Sequence, residues 1–226
     1  GIFVPGYFKA QSIAVRNRCL DNLRQVWGAT SEYAAGNNGQ LAYMGYNPGA
    51  SWLPTKASNI RRFSNTAQMY ALVKGGFVRD TLVFICPASP NARPMRPEGD
   101  NYAAFDDFAE PANTSYSYLF NNTPKPIRLS EMNGGPDTRI GLAGDHSPCF
   151  DAKSAGTMNP YDEASGNSPA HDNGAGQNVV FISGWASWFR QPTVGVDNDN
   201  VYRAGKLGRY LGTESPVSPT DTLLVP

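Results

Sequence analysis

The chain has 226 residues, and its 19 Lys and Arg residues are balanced by 19 Asp and Glu residues. This balance gives no global charge that would attract nucleic acid, so no nucleic-acid partner is predicted. Three cysteines exclude a disulfide-rich scaffold, and they lack the C-x-x-C spacing of a zinc site.

The first predicted element is a helix over residues 17–41 that runs into a polar turn. One half of its helical wheel is apolar, which is typical of an amphipathic helix. The residues of this apolar stripe are Cys19, Leu20, Leu23, Val26, Trp27, Tyr33 and Ala34. The stripe holds only from about Cys19 onward, because upstream of it Lys9 and Arg16 fall on the side that should be apolar. We therefore expect the second half of the helix to pack on a domain and the first half to project from it. Gly36 is predicted as its left-handed cap.

Later segments predict a short helix and several strands. NTAQMYALVKGG (65–76) is typical of a helix ended by two glycines, and DTLVFICP (80–87) of a strand. SYSYLF (115–120) and TRIGLAGD (138–145) predict further strands. QNVVFISGWASWFR (177–190) predicts a hairpin that turns at Ser183-Gly184.

The remaining segments, 88–114 and 146–177, predict long loops, and SPVSPTDTLLVP (215–226) predicts an extended arm over the surface. The predicted fold is α+β, with a long N-terminal helix packed on a small antiparallel β-sheet with long loops. We divide the chain into the N-terminal helix (1–35) and one globular α+β domain with its extended C-terminal arm (36–226).

Three blocks of the sequence are similar to those of a known superfamily. The first, FVPGYFKAQSIAVRNRCLDNLRQV, contains a Cys-Leu-x-Asn-Leu-Arg-Gln run from Cys19 to Gln25. The second, MYALVKGGFVRDTLVFICPAS, ends in Cys-Pro-Ala, and the third is SPAHDNGAGQNVVFISGWASWF. Together and in this order they resemble the type IV pilin and pseudopilin superfamily, with its N-terminal cleavage and methylation helix and loop-rich β domain. The hairpin turn departs from the usual Asp-Gly-His.

The resemblance implies a structural subunit of an extracellular, pilus-like filament or tube. An apolar helix half would anchor a precursor in the membrane, and after processing it would pack against the same helices of other copies. The implied assembly contact consists of Ile2, Phe3, Val4, Pro5, Tyr7 and Phe8. The implied partners are copies of the chain itself and, for the precursor, the inner-membrane assembly machinery and a prepilin peptidase. We also expect that the sequence begins partway through a longer segment.

Two other functions stay open. One is a pseudopilin of a type II secretion apparatus, although such subunits are usually smaller. The other is a surface-anchored binding module or hydrolase that uses the helix only as an anchor. No cofactor and no catalysis are predicted.

Both Cys19 and Cys86 lie in blocks shared with the superfamily, the first on the apolar helix stripe and the second at the end of a predicted strand. We expect them to form a disulfide, with a Cys86–Cys149 bridge as the competing alternative.

Other polar residues give weaker signals. His146 and His171 each neighbour an aspartate, Asp145 and Asp172, but no nucleophile motif accompanies them, so we interpret them as loop or hairpin-supporting residues. Asp197 and Asp199 have a spacing that can chelate calcium, although a turn is the favoured interpretation. No metal site is therefore predicted. Asn113 and Asn121 lie in N-x-S/T sequons, a weak sign of glycosylation.

Overall fold

A computed structural model describes residues 4–43, 45–49, 52, 64–129, 139–150, 166–208 and 210–225. Helix α1 spans Val4–Gly36 and helix α2 spans Asn65–Lys74. The strands are β1 (Tyr116–Leu119), β2 (Gly141–Asp145), β3 (Gln177–Phe181), β4 (Ala186–Phe189) and β5 (Leu224–Val225). They form one five-stranded sheet in the order β4-β3-β2-β1-β5, and every pair is antiparallel. The predicted α+β class, with a long N-terminal helix and a small antiparallel sheet, is confirmed for this part of the chain.

Helix α1 packs across β2, β3 and β4 with the face that the sequence predicts. Its stripe residues Cys19, Leu23 and Val26 are fully buried, while Trp27 and Tyr33 are partly buried against the same core. The predicted left-handed cap at Gly36 is wrong, because the left-handed residues are Asn38 and Gly39. The Gly39 amide turns back to donate to the Ala34 carbonyl at 2.8 Å, which satisfies a helix-terminal acceptor.

Helix α2 ends at Lys74, and Gly76 then adopts a positive φ of 79°, in agreement with the predicted stop at two glycines. Its N-terminus is held by a residue from a distant loop. Asp107 accepts hydrogen bonds from the Ser64 hydroxyl at 2.5 Å and the Thr66 hydroxyl at 2.7 Å.

The segment predicted as a strand at 80–87 is instead a 3-10 turn over Thr81–Phe84, so that prediction is wrong. The Asp80 carboxylate accepts from the Leu82 amide at 2.9 Å and thereby caps the turn. The Thr81 hydroxyl donates to the Met95 carbonyl at 2.7 Å. These two bonds outweigh the strand preference of the β-branched residues, and extended backbone follows at Ile85.

The predicted hairpin is confirmed as β3 and β4, in which Val179 faces Ser187 across the ladder. Gly184 occupies the turn with a φ of 85°, and a Cβ there would lie 2.6 Å from the Trp27 ring. The turn therefore needs glycine both for its backbone and for its close approach to α1.

The C-terminal segment does not form the predicted surface arm. Leu223, Leu224 and Val225 are completely buried, and β5 pairs with β1 at the edge of the sheet. Three consecutive apolar side chains gain too much from leaving water to remain on the surface. The preceding polar, proline-containing stretch is the part that stays largely exposed.

Candidate functional site

The first described turns of α1 extend beyond the protein core. Residues 6–11 are all exposed, and the exposed fractions of Tyr7 and Phe8 are 67% and 61%. Their rings contact each other edge to face, with centroids 6.0 Å apart. Ile13 adds a further side chain that is 46% exposed. We call Tyr7, Phe8 and Ile13 the exposed apolar patch of α1.

The structure describes only part of the rest of the expected assembly contact. Ile2 and Phe3 lie outside the described residues. Val4 and Pro5 form the first turn of the described helix, but their side chains are also outside the description.

Ser12, next to Ile13 of the exposed apolar patch, and Arg16, just after the patch, attach the helix to the domain. Arg16 forms an ion pair with Asp172, and its guanidinium lies 4.2 Å from the ring centre of Trp188. The Ser12 hydroxyl donates to the same Asp172 carboxylate at 2.7 Å. The hydrogen bonds from Ser12 and Arg16 lower the pKa of Asp172. The expectation that packing starts at about Cys19 is therefore corrected, since Arg16 uses a polar attachment that the apolar pattern does not reveal.

A disulfide joins α1 to the domain core. The sulfur atoms of Cys19 and Cys86 are 2.17 Å apart, and both residues are completely buried. Cys149 is a free, buried thiol near the Tyr202 carbonyl, and burial raises its pKa to about 12. The competing Cys86–Cys149 bridge is absent from the structure.

A buried imidazole–carboxylate pair lies directly against this disulfide. His171 Nε2 is 3.2 Å from Asp145 Oδ2 and 3.5 Å from Cys86 Sγ. The backbone amide and the side-chain amide of Asn178 donate to the same Asp145 oxygen at 2.6 and 3.1 Å. The other oxygen, Oδ1, is buried and has no hydrogen-bond partner. The ring of Trp188 lies nearly perpendicular to the imidazole, with ring centroids 5.4 Å apart.

Sequence reasoning missed this pair because it matched each histidine with its neighbour in the chain. Asp172 instead binds Arg16, while His171 binds an aspartate 26 positions earlier that the β2–β3 pairing brings close. One sequence signal was present: Asp145 directly follows a run of small and apolar residues, where an unpaired carboxylate would be costly. His171 forms an isolated β-bridge with Gly176 at the start of the hairpin. This agrees with its interpretation from the sequence as a hairpin-supporting residue.

The calcium candidates do not form a ligand group among the described residues. Asp197 is exposed and lies in a 3-10 turn, whereas Asp199 accepts from the Thr222 amide at 2.8 Å. Burial, together with the charge of Asp221, raises the pKa of Asp199 to about 7. The segment around Asp197 and Asp199 therefore forms a turn, which is the interpretation that the sequence favours.

Both sequons fall on buried asparagines. Asn121 is completely buried and donates to the Ala42 carbonyl at 2.9 Å, and Asn113 is only 3% exposed and donates to the Arg93 carbonyl. Glycosylation at either position is incompatible with this folded state.

The aromatic residues of the hairpin divide between two environments, as the strand period predicts. Trp185 stacks on Phe181 and contacts Phe189, while Trp188 packs on Arg16 and His171. Trp185 is 54% exposed, so it belongs to the surface rather than to the core.

Comparisons with models of protein families, with curated proteins and with solved structures found no match. Among the helices that the structure describes, none combines the length and hydropathy needed to cross a lipid bilayer.

Proposed function

We propose that this protein is a structural subunit of an extracellular, pilus-like filament or tube, and that it assembles with copies of itself through the beginning of α1. The observation that carries the proposal is the exposed apolar patch of Tyr7, Phe8 and Ile13, which lies on a helix of 33 residues. Tyr7 and Phe8 contact each other and Ile13 lies on another side of the same exposed helix, so apolar surface surrounds these turns. Exposed apolar surface of this kind marks interaction sites in soluble proteins.

The way in which α1 is held supports the same proposal. A helix that transmits contacts between subunits must be fixed to its own domain, and α1 is fixed by polar and covalent bonds. These are the Arg16–Asp172 ion pair, the Cys19–Cys86 disulfide and a hydrogen bond from Trp27 Nε1 to the Ile182 carbonyl at 3.1 Å. The patch therefore occupies a defined position relative to the sheet.

In the proposed assembly the exposed turns of α1 form the inner contact and the globular domain forms the outer wall. The segments 88–114 and 146–177 supply lateral contacts. By the resemblance to pilins, the precursor is membrane-anchored and is handled by the inner-membrane assembly machinery and a prepilin peptidase before the protein reaches the cell surface.

Electron microscopy of native material, combined with sedimentation of the purified protein over a range of concentrations, tests the proposal. We expect filaments or tubes, and a sedimenting fraction that rises with concentration. A strictly monomeric protein, with no filament in native material, contradicts the proposal. Short assemblies found only with a secretion complex favour the pseudopilin alternative.

A further inference from the structure

Four potential metal ligands converge beneath α1 from four separate parts of the chain. Cys19 lies on α1, Cys86 follows the 3-10 turn, Asp145 ends β2, and His171 precedes β3. Their ligand atoms all lie within 4.8 Å of one another, and all four residues are buried. Two thiolates, an imidazole and a carboxylate are the ligand types that zinc accepts in a closed, four-coordinate site.

Two distances within the cluster are already close to those of a tetrahedral site. With metal–ligand bonds of about 2.0 to 2.3 Å, neighbouring ligand atoms are separated by about 3.3 to 3.8 Å. His171 Nε2 lies 3.5 Å from Cys86 Sγ and 3.2 Å from Asp145 Oδ2. The two sulfur atoms are closer than this, at 2.17 Å, because they are covalently bonded, and the other ligand atoms lie within 4.8 Å of one another. Reduction breaks that bond, and the two thiols then separate to non-bonded distance.

The unpartnered Asp145 oxygen is a second and independent sign of a ligand. Asn178 and His171 hold Oδ2, whereas Oδ1 is buried without any donor. A buried carboxylate oxygen without a partner is unfavourable, and a cation bound by both oxygens of the Asp145 carboxylate removes that penalty. Asn178 has the position of the outer hydrogen-bonding residue that orients a ligating carboxylate.

We propose that the dithiol form of the protein binds one Zn²⁺ through Cys19, Cys86, Asp145 and His171, and that the disulfide form does not. On binding, the two thiols lose their protons and become thiolates. In the presence of a disulfide oxidant, such as an oxidised dithiol protein, the two thiolates form the Cys19–Cys86 bond. The oxidant takes up the two electrons from the thiolates and two protons from water to become two thiols, and Zn²⁺ leaves.

The consequence is that α1 is cross-linked to the domain core in both redox states, by a metal before oxidation and by a covalent bond afterwards. Metal binding and oxidation at this cluster do not require filament assembly.

The test uses the full chain in two redox states. The protein is reduced with a phosphine, freed of reductant under argon and titrated with Co²⁺ and then with Zn²⁺; the oxidised protein is treated identically. We expect the reduced protein to take up one equivalent of Co²⁺, with the visible bands of tetrahedral, thiolate-bound cobalt, and one equivalent of Zn²⁺ to abolish them. We expect no such bands from the oxidised protein.

Variants identify the ligands. H171N and D145N should each weaken Zn²⁺ binding by the reduced protein at least about tenfold. The matched control is C149S, which removes the free buried thiol outside the cluster and should leave the affinity and the cobalt bands unchanged. The circular dichroism of each variant in the oxidised state, where the disulfide is intact, verifies its fold.

Thermal unfolding gives a readout that is independent of the spectrum. Zn²⁺ should raise the Tm of the reduced protein, or restore its helical signal if reduction unfolds it, and should leave the Tm of the oxidised protein unchanged. The proposal is overturned if reduced protein shows no tetrahedral cobalt bands, if H171N and D145N bind Zn²⁺ like the parent, or if Zn²⁺ leaves reduced protein as unstable as before.

Discussion

Replacement of Phe8 by alanine tests whether the exposed apolar patch drives assembly. Phe8 is 61% exposed, and a phenylalanine side chain buries roughly 200 Å² when it is fully covered. Covering its exposed part in an assembly therefore removes roughly 100 Å² more from water than alanine would. At about 25 cal/mol per Å² this contributes about 2.5 kcal/mol per contact, or roughly 60-fold in critical concentration.

The assay is sedimentation over a concentration series, with the critical concentration taken from the soluble fraction. Phe8→Ala should raise that value about 60-fold if neighbours cover the ring completely, and about eightfold if they cover half of it. The Tm of the unassembled protein should stay the same, because surface substitutions usually change stability by about 0.5 kcal/mol or less. Leu211→Ala is the matched control, since Leu211 is 87% exposed but lies in the C-terminal part of the globular domain.

Two results would refute this reasoning. An unchanged critical concentration for Phe8→Ala would mean that the patch is not an assembly contact. An equal loss of assembly in Leu211→Ala would mean that general surface hydrophobicity, rather than the beginning of α1, causes the association.

Three further predictions concern stability. Replacing both Cys19 and Cys86 by serine should lower the free energy of unfolding by about 4 kcal/mol, because the disulfide spans 67 residues; denaturant titration measures this, and a loss below about 1 kcal/mol would contradict it. Burial raises the pKa of Asp107 from 3.8 to about 6, so the folded state favours the protonated carboxyl, and stability should fall by up to about 3 kcal/mol as pH rises from about 4 to 7. Asp107→Asn should flatten that part of the stability–pH curve, and an identical slope in the variant would assign the dependence to other groups. Gly184→Ala should cost about 2 kcal/mol or more in thermal unfolding, because of its positive φ and the Trp27 ring.

The last of these predictions has a matched control within the chain. Gly99 also has a positive φ, of 63°, but a Cβ there would meet no atom within 4 Å. Gly99→Ala therefore reports the backbone cost alone. If both variants lose the same stability, the contact with Trp27 adds nothing.

Local patterns were sufficient to predict the elements whose own residues determine them. The apolar stripe of α1, the helix stop at Gly75 and Gly76, and the β3–β4 hairpin all depend on neighbours a few positions apart, so periodicity and turn chemistry reveal them. The tail predicts a surface arm because the stretch from Asp197 is polar, whereas the structure buries Leu224. It pairs with β1 at the edge of the sheet, and nothing in the tail's own sequence reveals that this sheet edge is available.

Tertiary contacts decided the elements that the sequence predicted wrongly or not at all. Residues 81–84 prefer a strand by composition but form a 3-10 turn, which a hydrogen bond from Thr81 to Met95, 14 positions away, stabilises. The His171–Asp145 pair requires β2 and β3 to lie side by side, and a search for neighbouring charges finds Asp172 instead. Similarly, Arg16 looked misplaced on an apolar face, yet the ring of Trp188 and the carboxylate of Asp172 accommodate both its apolar stem and its charge.

The order of these contacts along α1 connects its attachment to its proposed role. The exposed patch comes first, the Arg16 ion pair follows, and the covalent bond at Cys19 lies less than one helical turn further on. A load applied to the exposed turns would reach the ion pair, which is partly exposed to solvent, before it reached the disulfide. Because an exposed ion pair contributes little, roughly 1 kcal/mol or less, the bond at Cys19 is the first contact that can resist such a load. The Cys19–Cys86 bridge would therefore hold an assembly contact at the beginning of α1 more firmly than the polar contacts alone.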